Sequence, residues 1–227
     1  MTAFPQSDPE GISSVEARDA LDRLYGVDQR LVSGDFYYGA KRGSITGHPY
    51  FIDSERKKGS VVIEGIRFDD LELRYDILEN IVVLRFFPLN SASVEISLKN
   101  ENIDFFEMDG QLFVPFIWKN NLNGLWFCQK LVDDEVSYLL HRVKWLDLNS
   151  GVSSSDFEYK TNEKQFILVN GELYGFSGKK TLYKLFPEIR KDLRDYKRRK
   201  KLSLRKSRIT NRVDFVNHCN TLLKQGR

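Results

Sequence analysis

Short reversals recur along the chain, and each falls between two apolar segments: Glu64-Gly65, Glu79-Asn80, Asp109-Gly110, Asn123-Gly124, Asp133-Asp134 and Asn170-Gly171. Asp-Gly and Asn-Gly suit such places because a type I′ turn needs positive φ at both central residues, and its twist matches the strands it joins. The flanking segments carry the matching period. Leu71, Leu73, Tyr75 and Ile77 alternate with Glu72, Arg74 and Asp76; Val94, Ile96 and Leu98 alternate with Glu95, Ser97 and Lys99. A period of two sets apolar residues on one face of a strand and charge on the other. Residues 81–87 are almost continuously apolar and are expected mid-sheet.

Read in order, these signals give strands at 35–39, 45–52, 60–64, 66–77, 81–87, 94–98, 103–108, 111–118, 125–132, 136–147, 157–160, 164–169 and 172–176. The fold class is therefore mainly β, an antiparallel meander forming a barrel or two packed sheets. Pro115 lacks a ladder donor, so its strand is expected to be bulged or at an edge. An outer-membrane barrel is set aside, because the strands carry charge on the face that would meet lipid and the chain closes in helical pattern.

The helical signals lie at the two ends. Residues 1–13 read as a flexible lead-in, and Val15, Ala17, Ala20, Leu21 and Leu24 before Gly26 read as a short helix over 14–25. After Ser177-Gly178, Leu182, Leu185, Ile189, Leu193 and Tyr196 recur at helical spacing, interrupted by Pro187. This predicts a short turn at 180–186 and a helix that starts with Pro187 at its first position. Ile209, Val213, Val216, Cys219 and Leu223 mark a last helix. With one apolar face each, both helices are expected to dock on the β body. The chain thus divides into 1–13, a β domain with its N-terminal helix at 14–178, and a basic helical segment at 179–227.

At 227 residues and 41% hydrophobic the chain has ample material for a core. No apolar run approaches the ~18–20 residues of a membrane-spanning helix. The first residues show neither the basic nor the apolar region of a signal peptide, which leaves a cytoplasmic protein native from Met1 or an exported one whose leader has been removed. Cys128 and Cys219 lie 91 positions apart, neither a metal motif nor a redox pair; export would allow them to form a disulfide, whereas the place of Cys219 on an apolar stripe favours a packed thiol.

No catalytic, metal-ligating or cofactor-binding residue is assigned. His48, His141 and His218 have no histidine partner at helical spacing and no HExxH pattern. His48, within Gly47-His48-Pro49-Tyr50-Phe51, reads as a histidine hydrogen-bonded at a bend rather than a base. The carboxylates Asp104, Glu107 and Asp109 belong to a strand and its turn, since Phe105 and Phe106 occupy what would be the middle of a calcium loop. Phosphate loops, dinucleotide fingerprints and a nucleophile elbow are absent. A hydrolase with an unrecognised site is kept only as an alternative.

Charge is the remaining signal. Residues 179–227 hold 17 Lys and Arg against 4 Asp and Glu, a balance of +13, whereas the rest holds 18 against 28, a balance of −10. Lys197, Arg198, Arg199, Lys200, Lys201, Arg205 and Lys206 concentrate it, followed by Arg208. Such a cluster suits phosphates on nucleic acid or acidic lipid. Aromatic residues that would stack bases are not interleaved with it, and the residues themselves favour the plainer reading, the solvated face of a docked helix.

The chain resembles a loose group of functionally unassigned exported proteins from Bacteroidota. The resemblance is carried by Leu24-Tyr25-Gly26, Gly47-His48-Pro49-Tyr50-Phe51, Gly59-Ser60-Val61, the run from Leu71 to Ile77 with Val82-Val83-Leu84, and the stretch from Lys179 to Pro187. It implies a mostly β fold and export to the periplasm or cell surface, with no active site to transfer. The expected function is then a non-enzymatic cell-envelope protein that binds a protein partner or surface polymer; polyanion binding through the basic segment is the alternative.

Overall fold

The computed structural model describes residues 28–39, 45–87, 92–117, 125–148 and 157–226. The expected lead-in, the helix at 14–25 and the turn at Asn123-Gly124 lie outside the described residues. A single turn of helix, α1 (Gln29–Val32), opens the described chain, capped by the Asp28 carboxylate, which accepts from the Arg30 N–H. Twelve strands follow in one sheet: β1 (Asp35–Phe36), β2 (Ile45–Thr46), β3 (Lys57–Ile63), β4 (Ile66–Asp76), β5 (Ile81–Phe86), β6 (Val94–Ser97), β7 (Ile103–Met108), β8 (Gln111–Ile117), β9 (Leu125–Val132), β10 (Val136–Leu148), β11 (Phe157–Val169) and β12 (Glu172–Gly175). Three helices complete the chain: α2 (Lys179–Leu185), α3 (Arg190–Arg199) and α4 (Ile209–Gln225).

The two-residue turns behave as their sequence requires. Glu64, Asp109 and Asn170 take φ of 52°, 53° and 51°, and the glycines after them 77°, 67° and 75°, positive at both positions. Strand order is β1-β6-β5-β4-β3-β7-β8-β9-β10-β11-β12, antiparallel along this path, with β2 added parallel to β11. The order departs from a simple meander where β1 pairs β6, where β2 joins β11, and at β3, because β4, β5 and β6 hang on one side of β3 and the chain returns to pair β7 on its other side.

The sheet is one continuous layer and its ladder does not close, so it is neither a closed barrel nor two separate sheets. It rolls instead. Three strands lie between β4 and β9, which in a flat sheet would separate them by about 19 Å. Yet the Tyr75 ring centroid is 6.0 Å from that of Phe127, and the Asn80 amide donates to the Leu125 carbonyl at 2.7 Å. Rolling is what lets a single layer bury a face without a second sheet. Leu73, Phe106, Phe113 and Phe127 are buried on the inside, with the Phe106 and Phe113 rings stacked at 4.6 Å.

Five expectations change. The strands expected at 35–39 and 45–52 are confined to Asp35–Phe36 and Ile45–Thr46, and the turn expected at 180–186 is the helix α2, so the C-terminal segment holds three helices rather than two. The segments 157–160 and 164–169 are one strand, because β10 and β11 pair without interruption from Val136↔Val169 to Leu148↔Phe157. Pro187 does not begin α3; it lies in a turn whose carbonyl accepts from the Arg190 N–H at 3.3 Å, and the helix starts at Arg190. Strand β8 is internal, between β7 and β9, but its ladder to β7 ends at Phe113, so Pro115 occupies a locally open edge where no donor is needed.

The C-terminal helices cover the far end of the same face. Val132, Val136, Tyr138 and Ile167 of the sheet meet Leu182, Leu193, Phe215, Val216 and Cys219 of the helices. Cys128 packs with Leu139 and Phe166 on the opposite face, since Leu139 follows Tyr138 and successive strand residues point apart. Both cysteines are free and buried, and burial pushes both thiols up to about 12.

Candidate functional site

The docking of the cap decides what its basic residues can do. Asn220 sits on the buried stripe of α4, where its amide takes both backbone groups of Val136. The Val136 N–H donates to Oδ1 at 2.9 Å, and Nδ2 donates to the carbonyl at 3.0 Å. The side chain thus stands in for a neighbouring strand at the start of β10, meeting the demand of buried backbone for partners. Arg212 is the second clamp. Its guanidinium donates to the carbonyls of Leu204 (2.9 Å) and Phe176 (2.8 Å) and to Gln165 Oε1 (2.6 Å), and its Nε reaches the Arg205 carbonyl at 3.2 Å. Gln165 in turn donates to the Lys206 carbonyl at 3.0 Å and accepts from the Tyr138 hydroxyl at 2.8 Å.

These bonds shape the connection between α3 and α4. The carbonyls of Leu204, Arg205 and Lys206 turn inward to buried donors, and the side chains of Arg205 and Lys206 are exposed. Gly178 makes room for this fold-back. Its φ is +96°, and a Cβ there would stand 3.2 Å from the Leu204 carbonyl oxygen.

Upstream, α3 ends in a Schellman motif: the Leu202 N–H donates to the Lys197 carbonyl at 3.0 Å and the Lys201 N–H to the Arg198 carbonyl at 3.1 Å. The left-handed position of that motif, usually glycine, is Lys201 at φ 52°. Helix α3 is tied down through Leu193, fully buried, and through Tyr196, whose hydroxyl donates to Asp214 at 2.8 Å and whose ring stacks on His218 at 3.6 Å. Burial, then Arg199 nearby, lowers the His218 pKa.

The structure therefore gathers the seven basic residues singled out from the sequence at one corner. Lys197 is half-buried; Arg198, Arg199, Lys200, Lys201, Arg205 and Lys206 are exposed. Among the described residues, none of the fourteen lysines and arginines in 179–208 forms an ion pair. The one ion pair of the cap, Lys224 with Asp134 at 2.6 Å, lies at the other end of α4 and lowers the Asp134 pKa.

The sheet treats its arginines in the opposite way. Arg56 and Arg74 share Glu95 at 2.6 and 2.7 Å, Arg142 meets Glu163 at 2.7 Å, Arg67 meets Glu107 at 3.0 Å and Arg85 meets Glu72 at 3.4 Å. A groove of 680 Å³ runs over β4 and β5, with Leu31, Phe68 and Leu84 beneath and the paired Arg67, Asp69, Glu72 and Arg85 at its rim.

The second cluster of titratable groups lies where the 48–53 segment crosses the sheet. Asp76 is fully buried; one oxygen accepts from the N–H groups of Leu78 and Glu79, and the other from the Tyr37 hydroxyl at 2.6 Å. Burial, then this bond, holds the phenol far above its usual range. Lys144 donates to the carbonyls of His48 (2.8 Å) and Tyr50 (2.6 Å), with His48 Nδ1 at 3.5 Å. Burial lowers the Lys144 pKa, and burial with Lys144 lowers that of His48. The ammonium caps a bend and the carboxylate caps a turn, so the groups that would do chemistry are engaged with backbone. His141 is buried, edge-on to Trp126 at 5.4 Å; burial and then Lys164 hold its pKa at about 4. Neither imidazole lines the groove described above. No cluster of His, Cys, Asp and Glu among the described residues would hold a metal ion, and no described helix is long and apolar enough to cross a membrane.

Compared with known proteins, the chain matches no family model, no curated protein and no solved structure.

Sequence reasoning found the cations and missed what positions them. Arg212 and Asn220 fall on the helical stripe of Ile209, Val216 and Leu223, and a cation and an amide on an apolar face are the signal that was there to read.

Proposed function

We propose that the protein binds polyanions through the corner between α3 and α4, with the rolled sheet as the scaffold that holds this corner. One observation carries the reading: the arginines of the sheet are matched to carboxylates, and the cations of 179–208 are not. A helix that needed only a wet face would be served by mixed charge, which stabilises through i,i+4 pairs; concentrated like charge costs self-repulsion. The lysine at the left-handed position of the Schellman motif supports it further. A side chain there costs about 1–2 kcal/mol relative to right-handed geometry, and glycine would avoid most of that.

The reading is preferred to a partner surface on the β body because the sheet groove already satisfies its own rim charges. Retention on a heparin matrix tests it. The wild-type protein is expected to elute at high salt, and a variant with residues 197–201 changed to glutamine at much lower salt with an unchanged circular dichroism spectrum. Equal elution of the two proteins would refute the assignment.

A further inference from the structure

Resting on that reading, we propose that the polyanion is double-stranded nucleic acid, held through its phosphates and without readout of the bases. Three features of the corner select this polymer among those that carry phosphate.

The first is what the corner lacks in aromatic surface. Single strands are bound most effectively when bases stack on aromatic rings, at about 1–3 kcal/mol per base. Within 179–226 no large hydrophobic or aromatic side chain is among the exposed ones of the described residues. The ring nearest the cations, Tyr196, is committed on its face to His218 and at its hydroxyl to Asp214. A phosphate array without stacking platforms gives single strands no advantage over a duplex.

The second feature concerns bilayers. A basic helix that binds a membrane surface ordinarily sinks an apolar face about 5–10 Å into the headgroup boundary. The apolar faces of α2, α3 and α4 are turned into one cluster with the sheet, where Leu182, Leu193, Phe215 and Val216 are fully buried. Nothing among the described residues of the cap is left to insert.

The third is rigidity. The cations ride on a helix end closed by two backbone bonds and on a loop whose carbonyls are held by Arg212 and Gln165, with Asn211 donating to the Ser203 carbonyl at 3.1 Å. A fixed array suits a fixed lattice of charge, and duplex DNA presents one charge per about 1.7 Å of axis. The net charge of −10 on residues 1–178 then disfavours any approach except through the cap.

Fluorescence anisotropy with two unrelated duplexes of about 20 bp, a single strand of equal length and vesicles rich in anionic lipid, each at about 50 and 200 mM salt, decides the matter. The two duplexes are expected to bind within about twofold of each other and several-fold tighter than the single strand or the vesicles. With about five phosphates engaged, duplex affinity falls on the order of 10²–10³-fold between the two salts. Single-strand or vesicle binding equal to or tighter than duplex binding overturns the choice of polymer and leaves the polyanion reading standing. A strong preference between the two duplexes overturns the absence of base readout. Failure of all four probes to bind at the lower salt, with heparin retention also lost, overturns the polyanion reading itself.

Discussion

The two halves of the buried face are held by different means. At the β4 to β9 end, cohesion is apolar and continuous: Tyr75, Phe106, Phe113 and Phe127 form one cluster of rings, and the arginines outside it are paired with carboxylates. At the helical end an apolar cluster of similar size is joined to the sheet by two polar clamps, Asn220 on Val136 and Arg212 on Gln165 and three carbonyls. Apolar contact sets how firmly an element docks, whereas directional bonds set where it docks. The region proposed to present charges at fixed places is the one fixed by directional bonds.

The contrast can be broken at either end. Phe106→Ala removes a ring at the centre of the sheet cluster, and chemical denaturation is expected to show a loss of about 3–5 kcal/mol. Such a variant should retain its salt-dependent heparin retention wherever it remains folded. Asn220→Leu keeps the volume and removes the clamp, leaving the Val136 N–H and carbonyl buried without partners; about 2–4 kcal/mol should be lost. A loss below about 0.5 kcal/mol would mean that water replaces the amide and that the clamp does not locate α4.

His141 sharpens the comparison through pH. Its folded pKa of about 4 lies below the ordinary value of 6.5, so between these values the unfolded chain binds more protons, and stability falls as pH drops. At pH 5 the difference is about 2 kcal/mol relative to pH 7. His141→Phe should abolish that part of the pH dependence, as urea midpoints of both proteins at the two pH values would show. Lys201→Gly has the smallest effect and the opposite sign, a gain of up to about 1 kcal/mol in thermal or urea unfolding. It is also expected to weaken polyanion binding, separating the stability of the corner from its function.

Much of the sheet was legible because its signals are local. Asp109-Gly110 and Asn170-Gly171 name their own turns, and Leu73, Tyr75 and Ile77 name the buried face. What the sequence concealed is long-range. That β7 returns to β3, that the layer rolls until Tyr75 meets Phe127, and that Asp76 is buried to serve Leu78, Glu79 and Tyr37 depend on contacts no period encodes. The same holds for the candidate site: composition revealed its charge, but the paired state of the sheet arginines and the unpaired state of the cations in 179–208 appear only in three dimensions.

The most direct measurement is the slope of duplex affinity against salt for three proteins: the wild type, a cap variant with residues 197–201 changed to glutamine, and a sheet control with Arg56, Arg67 and Arg85 changed to glutamine. Each phosphate contact contributes about −0.9 to the slope. The expected result is a nearly flat line for the cap variant and a wild-type slope for the sheet control. A sheet control as flat as the cap variant, or a cap variant that keeps the wild-type slope, would contradict the division of the molecule into a paired scaffold and an unpaired binding corner.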